Sequence, residues 1–105
     1  MSDALLIRIE QDEAHVRLYL SGRFDAGAEA IFSAVCEPLS VGASGRLFIL
    51  DLKDLVYLSS AGLRLMLALR ARLLAAEGRI ELHGACGLPL EVLTVARFER
   101  LFHMV

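Results

Sequence analysis

Residues 46–52, Arg-Leu-Phe-Ile-Leu-Asp-Leu, are apolar at nearly every position. A strand with one wet face alternates, whereas an unbroken run of this kind is what a central strand covered on both faces looks like. The chain must therefore build a sheet around this segment and bury it. The flanking segments supply the rest of the sheet. Residues 5–10 (Leu-Leu-Ile-Arg-Ile-Glu) alternate at their end, residues 11–13 (Gln-Asp-Glu) form a polar turn, and residues 15–20 (His-Val-Arg-Leu-Tyr-Leu) alternate again. Two alternating runs across a short polar turn predict an antiparallel hairpin.

Helical periodicity appears between the strands. After Ser21–Asp25 leave the hairpin, Asp25 is placed to cap a helix with the stripe Ala28, Ile31, Phe32 and Val35, which Pro38 is expected to end by excluding α geometry at Glu37. A loop follows over residues 40–45. Beyond the central strand, a turn from Asp51 through Ser60 leads into a long helical segment to about Glu77, stopped at Gly78. Residues 79–83 alternate as another strand, and residues 88–96 form a third helix with Pro89 in its first turn. Residues 101–105 close with a short strand. The order β-β-α-β-α-β-α-β predicts one α/β domain over 1–105 with a mixed sheet, its parallel part joined by right-handed crossovers. Such sheets carry function beyond their C-terminal strand ends, here the turn from Asp51 through Ser60.

Composition narrows the function classes. With 11 Lys+Arg against 13 Asp+Glu, the net charge of −2 provides no cationic field for a nucleic-acid backbone. A hydrophobic fraction of 56% excludes disorder and exceeds what so short a chain readily hides, pointing to a partner surface or weak homo-oligomerisation. The longest apolar stretch, about residues 63–76, is interrupted by Arg64, Arg70 and Arg72 and falls short of the roughly 20 residues a membrane span needs. Met-Ser-Asp-Ala at the start shows no secretory pattern. The expectation is a cytoplasmic protein without membrane insertion, with Cys36 and Cys86 as reduced, mostly buried thiols.

Enzyme templates fail in turn: the sequence contains no GxGxxG, GxxxxGK, GxSxG or HExxH. His15, His83 and His103 sit on separate elements without metal-ligand spacing. A Ser60/His83 nucleophile lacks an orienting acid and an oxyanion loop. Asp51 and Asp54, three apart, are better explained as carboxylates bonding loop amides than as a metal pair. No catalytic residue, metal or cofactor is expected.

What remains is Leu58-Ser59-Ser60-Ala61-Gly62-Leu63-Arg64. A serine here caps the helix, and a hydroxyl at a helix N-terminus is also a place where a phosphate is tolerated. Down the helix, Leu63, Met66, Leu67, Leu73 and Leu74 share one arc with Leu65 and Leu69. Arg64, Ala68, Ala71, Arg72 and Ala75 share the other, in line with Ser60. Small alanines admit a neighbouring helix, and arginines pair with carboxylates. Arg70 falls within the apolar arc, where snorkelling is its account.

The string from Asp51 to Arg64 (Asp-Leu-Lys-Asp-Leu-Val-Tyr-Leu-Ser-Ser-Ala-Gly-Leu-Arg) resembles the signature of STAS domains, specifically of the bacterial anti-sigma factor antagonists, or anti-anti-sigma factors. Residues 21–25 (Ser-Gly-Arg-Phe-Asp) and 88–102 are similar to two further markers of that family. The resemblance implies a sheet with helices mainly on one side. It also implies partner switching: the unmodified protein binds an anti-sigma factor that is a serine kinase of the GHKL ATPase type, phosphorylation breaks the complex, and a PPM-type phosphatase restores it. The motif places the acceptor at Ser60, with Ser59, where many members carry Asp, as second choice. Asp25, Asp54, Ser59, Ser60, Ala61, Gly62, Arg64, Ala68 and Arg72 are the implied partner-binding residues. A STAS subunit with a structural role, on a lipid-transport ATPase or in a larger signalling assembly, is the alternative.

Overall fold

The computed structural model describes residues 4–105. Hairpin strands β1 (Leu6–Gln11) and β2 (His15–Phe24) pair antiparallel, and the Asp12 carboxylate ties the turn by accepting from the amides of Ala14 at 2.8 Å and His15 at 2.7 Å. Helix α1 (Glu29–Ser40), β3 (Leu47–Leu58), α2 (Ser60–Ala75), β4 (Arg79–His83), α3 (Gly87–Val95) and β5 (His103–Met104) follow. Two short 3-10 turns, Ala26–Ala28 and Phe98–Arg100, precede α1 and β5. The sheet order is β1-β2-β3-β4-β5, with every pairing after the first parallel. The expected mixed sheet is therefore the observed one.

Each crossover steps one strand further in the same direction, so right-handed connections put the helices on one face. That face is where the strands bury Val16, Leu18, Leu20, Phe48, Leu50, Leu52, Ile80 and Leu82 against Phe32, Cys36, Met66, Leu69, Leu73 and Leu93. Phe24 at the end of β2 packs on Phe32 of α1, ring centroids 4.8 Å apart. The other face has no helix layer, which corrects the expectation of a central strand covered on both sides. Ile49 is buried there nonetheless, between its register neighbours Arg17 and Glu81. Long polar side chains thus shield an apolar strand that periodicity alone assigns to a sandwich.

Several boundaries move. Strand β2 does not end at Leu20 but reaches Phe24, because register shifts at Tyr19/Ser21 and Gly22/Arg23, the latter at the positive φ of 88° of Gly22, keep it paired with β3. Strand β3 runs on to Leu58 where a turn was expected, zipped to that prolonged β2. Pro38 lies inside α1 rather than ending it; in the last turn its missing N–H forfeits one bond, and Val41 still bonds the Pro38 carbonyl at 3.4 Å. The buried residues of α1 are Phe32, Cys36 and Ser40, following on from Ala28 of the preceding 3-10 turn, while Ile31 stays 43% exposed. Leu74 of α2 is likewise 46% exposed. After α2 the left-handed residue is Glu77, at φ 63°, and not Gly78. Gly78 is required for space, since a Cβ there would lie 2.8 Å from the Ala43 carbonyl oxygen.

Arg70 has a partner after all: its Nε donates to the Leu101 carbonyl at 2.9 Å and its guanidinium lies 5.9 Å from the Phe102 ring. It fastens the C-terminal segment to α2. Cys36 is buried as expected, but Cys86 is exposed.

Candidate functional site

Strands β2 and β3 end side by side, with Phe24 in register with Leu58, and both chains then turn into helical structure. The Phe24 carbonyl accepts from the Ser59 amide at 3.0 Å, which locks the two exits together. Asp25 caps the first, its carboxylate accepting from the Gly27 amide at 3.0 Å and facing Arg23 Nε at 3.4 Å. Asp25 therefore caps the 3-10 turn rather than α1 itself.

Ser59 caps the second exit. With extended dihedrals (φ −101°, ψ 173°), its Oγ accepts from the Gly62 amide at 3.4 Å. Its hydroxyl is thereby committed to the fold. Ser60 is the first residue of α2 and is exposed. A helix leaves its first amides without intrahelical acceptors, so the ground around Ser60 is electropositive. Arg64, Ala68, Ala71, Arg72 and Ala75 are exposed behind it, forming one ridge along the helix. Beside the ridge an open groove of about 260 Å³ is lined by Ala26, Glu29, Ala61, Arg64, Leu65 and Ala68. Its floor is apolar, and Glu29 and Arg64 supply opposite charges at its rim.

The fold thus gathers Asp25, Ser59, Ser60, Ala61, Arg64 and Ala68 at one end of the molecule. Arg72 lies one turn beyond Ala68 along α2, 3.8 Å from Glu37 of α1, an exposed pair that leaves its guanidinium available. Gly62 belongs to the motif for a different reason. It is buried and offers a partner no surface: a Cβ would lie 2.5 Å from the Phe24 carbonyl oxygen and 2.7 Å from Leu58 Cδ1. Asp54 stands apart, paired in register with Ser21 and lining a separate groove with Arg8, Tyr19 and Asp51. Glu29 was not singled out from the sequence, and Leu65 was read there only as part of the apolar arc. Glu29 reads there as an ordinary first-turn acid, and only the packing of the 3-10 turn beside α2 brings it to the groove.

The other chemical candidates resolve structurally. Asp51 Oδ2 pairs with Arg17 Nη1 at 3.0 Å and its Oδ1 accepts from the Lys53 amide at 3.2 Å. His83 Nε2 lies 2.9 Å from Glu81.

Comparison with known proteins identifies the family and the fold. A family model described as "Mlab, STAS domain" matches residues 7–105. The chain belongs to the STAS-domain family. A STAS-domain containing protein of Pseudomonas aeruginosa (strain UCBPP-PA14) is 29% identical over 91 residues, 87% of this chain and 88% of that one. Among solved structures, an anti-sigma factor antagonist from Mycobacterium paratuberculosis superposes with a TM-score of 0.85 at 15% identity, over 99% of this STAS domain and 89% of that chain. The Bacillus cell fate determinant SpoIIAA in its phosphorylated form gives 0.73 at 19% identity, over 95% and 91%. At these identities the structural likeness is one of fold.

Proposed function

We propose that this STAS domain is an anti-sigma factor antagonist of a partner-switching pathway, a cytoplasmic binding module rather than an enzyme. Unphosphorylated, it binds an anti-sigma factor that is a GHKL-type serine kinase and so releases a sigma factor or another target. Phosphorylation of Ser60 abolishes binding, and a PPM-type phosphatase reverses it. The observation that carries this is the division of labour between the two serines: Ser59 is used by the fold as a cap, whereas Ser60 is exposed at the head of the Arg64–Ala68–Arg72 ridge. A neutral hydroxyl enters an interface with one hydrogen bond, but a dianion cannot be buried unpaired. Carboxylates that a partner aims at Arg64 and Arg72 would meet the phosphate as like charge.

The test pairs the protein with a GHKL-type serine kinase sought among the products of neighbouring genes. With ATP, intact mass should rise by one phosphate, and Ser60→Ala should abolish the gain while Ser59→Ala retains it. By titration calorimetry Ser60→Ala should bind the kinase like wild type and Ser60→Asp at least tenfold more weakly, about 1.4 kcal/mol. Equal affinities of these two variants would sink the switch. A second role keeps the docking ridge and drops the switch: a STAS subunit held permanently on a lipid-transport ATPase or a larger signalling assembly. In its favour, the matching family model is described by Mlab and not by sigma-factor control. It expects unchanged mass with ATP and undiminished binding by Ser60→Asp.

A further inference from the structure

The outer edge of the sheet carries its own pattern. Strand β1 lies at the end of the sheet, and among the described residues nothing pairs with its outer side. The hairpin fixes which backbone groups point there. The Asp12 amide donates to the His15 carbonyl at 2.9 Å, on the same diagonal as the pairs Leu6↔Ser21 through Gln11↔Val16. Antiparallel pairs alternate between bonded and non-bonded, so Leu6, Arg8 and Glu10 direct their amides and carbonyls at β2. Ile7, Ile9 and Gln11 direct theirs outward. No proline, lysine or bulge blunts this six-residue edge. Ile9, on the helix-side face, is 40% exposed. On the opposite face Arg8 lies over the Tyr19 ring at 3.9 Å and Glu10 accepts from the Tyr19 hydroxyl at 2.6 Å, so both charges are held along the rim.

We infer that this edge pairs with β1 of a second copy of the chain, antiparallel about a twofold axis through Ile9. Bonded pairs must join outward-facing residues, which leaves few registers. An axis through Ile9 bonds Ile9 to Ile9 and Ile7 to Gln11 of the second copy. It sets Arg8 opposite Glu10 of the second copy in the close, non-bonded pairs, twice over by symmetry. An axis through Arg8 or Glu10 sets like charges face to face, and one through Ile7 leaves Arg8 opposite Leu6. Opposite charges directly across a pair stabilise and like charges destabilise, so charge selects the Ile9 register. Both copies then present their helices on the same face of one continuous sheet, and the seam uses none of the residues assigned to partner docking.

Sedimentation equilibrium from about 10 µM to about 1 mM tests this. The wild-type mass should climb toward that of a dimer. Ile9→Pro should stay monomeric with unchanged circular dichroism, because the amide it removes is not used within the hairpin. Arg8→Glu and Glu10→Arg should each weaken association about tenfold or more, since each sets like charges across the seam. Mixed 1:1, these two variants should associate again, because each charge in one finds its opposite in the other. A wild-type chain monomeric at every concentration overturns the inference, and so does a mixture no more associated than its parts. Association of a folded Ile9→Pro at wild-type strength overturns it too. Pairing of the edge with a segment of some other protein instead would leave the pure chain monomeric, the first of those outcomes.

Discussion

Gly62→Ala is the substitution that most directly tests how the fold holds Ser60 in place. A methyl group at residue 62 would sit 2.5 Å from the Phe24 carbonyl oxygen, 2.7 Å from Leu58 Cδ1 and 3.2 Å from Phe24 Cγ. The leucine methyl can rotate away. The carbonyl cannot, because it accepts from the Ser59 amide at 3.0 Å and belongs to a strand paired with β3. Relief therefore requires the first turn of α2 to lift off β2. Overpacking of this kind costs about 1–3 kcal/mol, and stretching the Ser59–Phe24 bond adds about 1 kcal/mol. Alanine returns about 1 kcal/mol through its helix propensity. The net destabilisation is about 1–3 kcal/mol. At about 4–8 °C per kcal/mol for a domain of this size, Tm should fall by roughly 5–20 °C. Urea unfolding should show a lower midpoint at unchanged slope, and the Ser60 amide resonance should shift. An unchanged or raised Tm would refute the clamp, since propensity alone predicts stabilisation.

Further outcomes follow from the same structure. Ser59→Ala removes the cap on Gly62 and should cost about 0.5–1 kcal/mol in urea unfolding, the low end because the bond is 3.4 Å long. Ser60→Asp, an anion in the first turn, should instead stabilise by about 0.3–1 kcal/mol while weakening partner binding, so stability and affinity move in opposite directions. Burial pushes the Cys36 thiol from 9.0 up to about 12, with Arg72 opposing weakly. Above pH 9 the unfolded chain therefore releases this proton while the native state keeps it, so stability falls as pH rises through that window, by on the order of 1 kcal/mol at pH 10. Cys36→Ala should flatten that part of the pH dependence of unfolding; an identical slope would contradict it. In the native protein Ellman's reagent should label Cys86 at once and Cys36 only on unfolding.

Much of the molecule was legible from residue order because local periodicity is decided locally. The alternation in residues 5–10 and 15–20 specifies the hairpin. The apolar run at 47–52 marks the central strand, and four-residue spacing puts Arg64, Ala68 and Arg72 on one face of α2 with Ser60 at its head. The motif Ser-Ser-Ala-Gly-Leu-Arg was likewise enough to nominate Ser60. Its limits appeared where a neighbour in space overrides a local preference. The propensity of Gly22 to break a strand yields to pairing with β3, and the helix-ending tendency of Pro38 yields in a last turn that needs few bonds.

Tertiary structure alone decided the division between the serines. Nothing in two adjacent identical side chains says which one caps and which one faces solvent; the Phe24–Ser59 bond sets the starting phase of the helix, and that phase assigns the roles. It also decided that Gly62 is there for space, that Glu29 joins the groove beside Arg64, and that Asp54 does not. Each depends on contacts between residues distant in the chain, distances that periodicity does not encode. The sequence by itself set the elements, their faces and the candidate hydroxyl, because these arise from interactions a few residues long. Folding then chose the register, the uncovered face of the sheet and the outward edge of β1, because right-handed crossovers and hydrogen-bond parity act only once strands lie side by side.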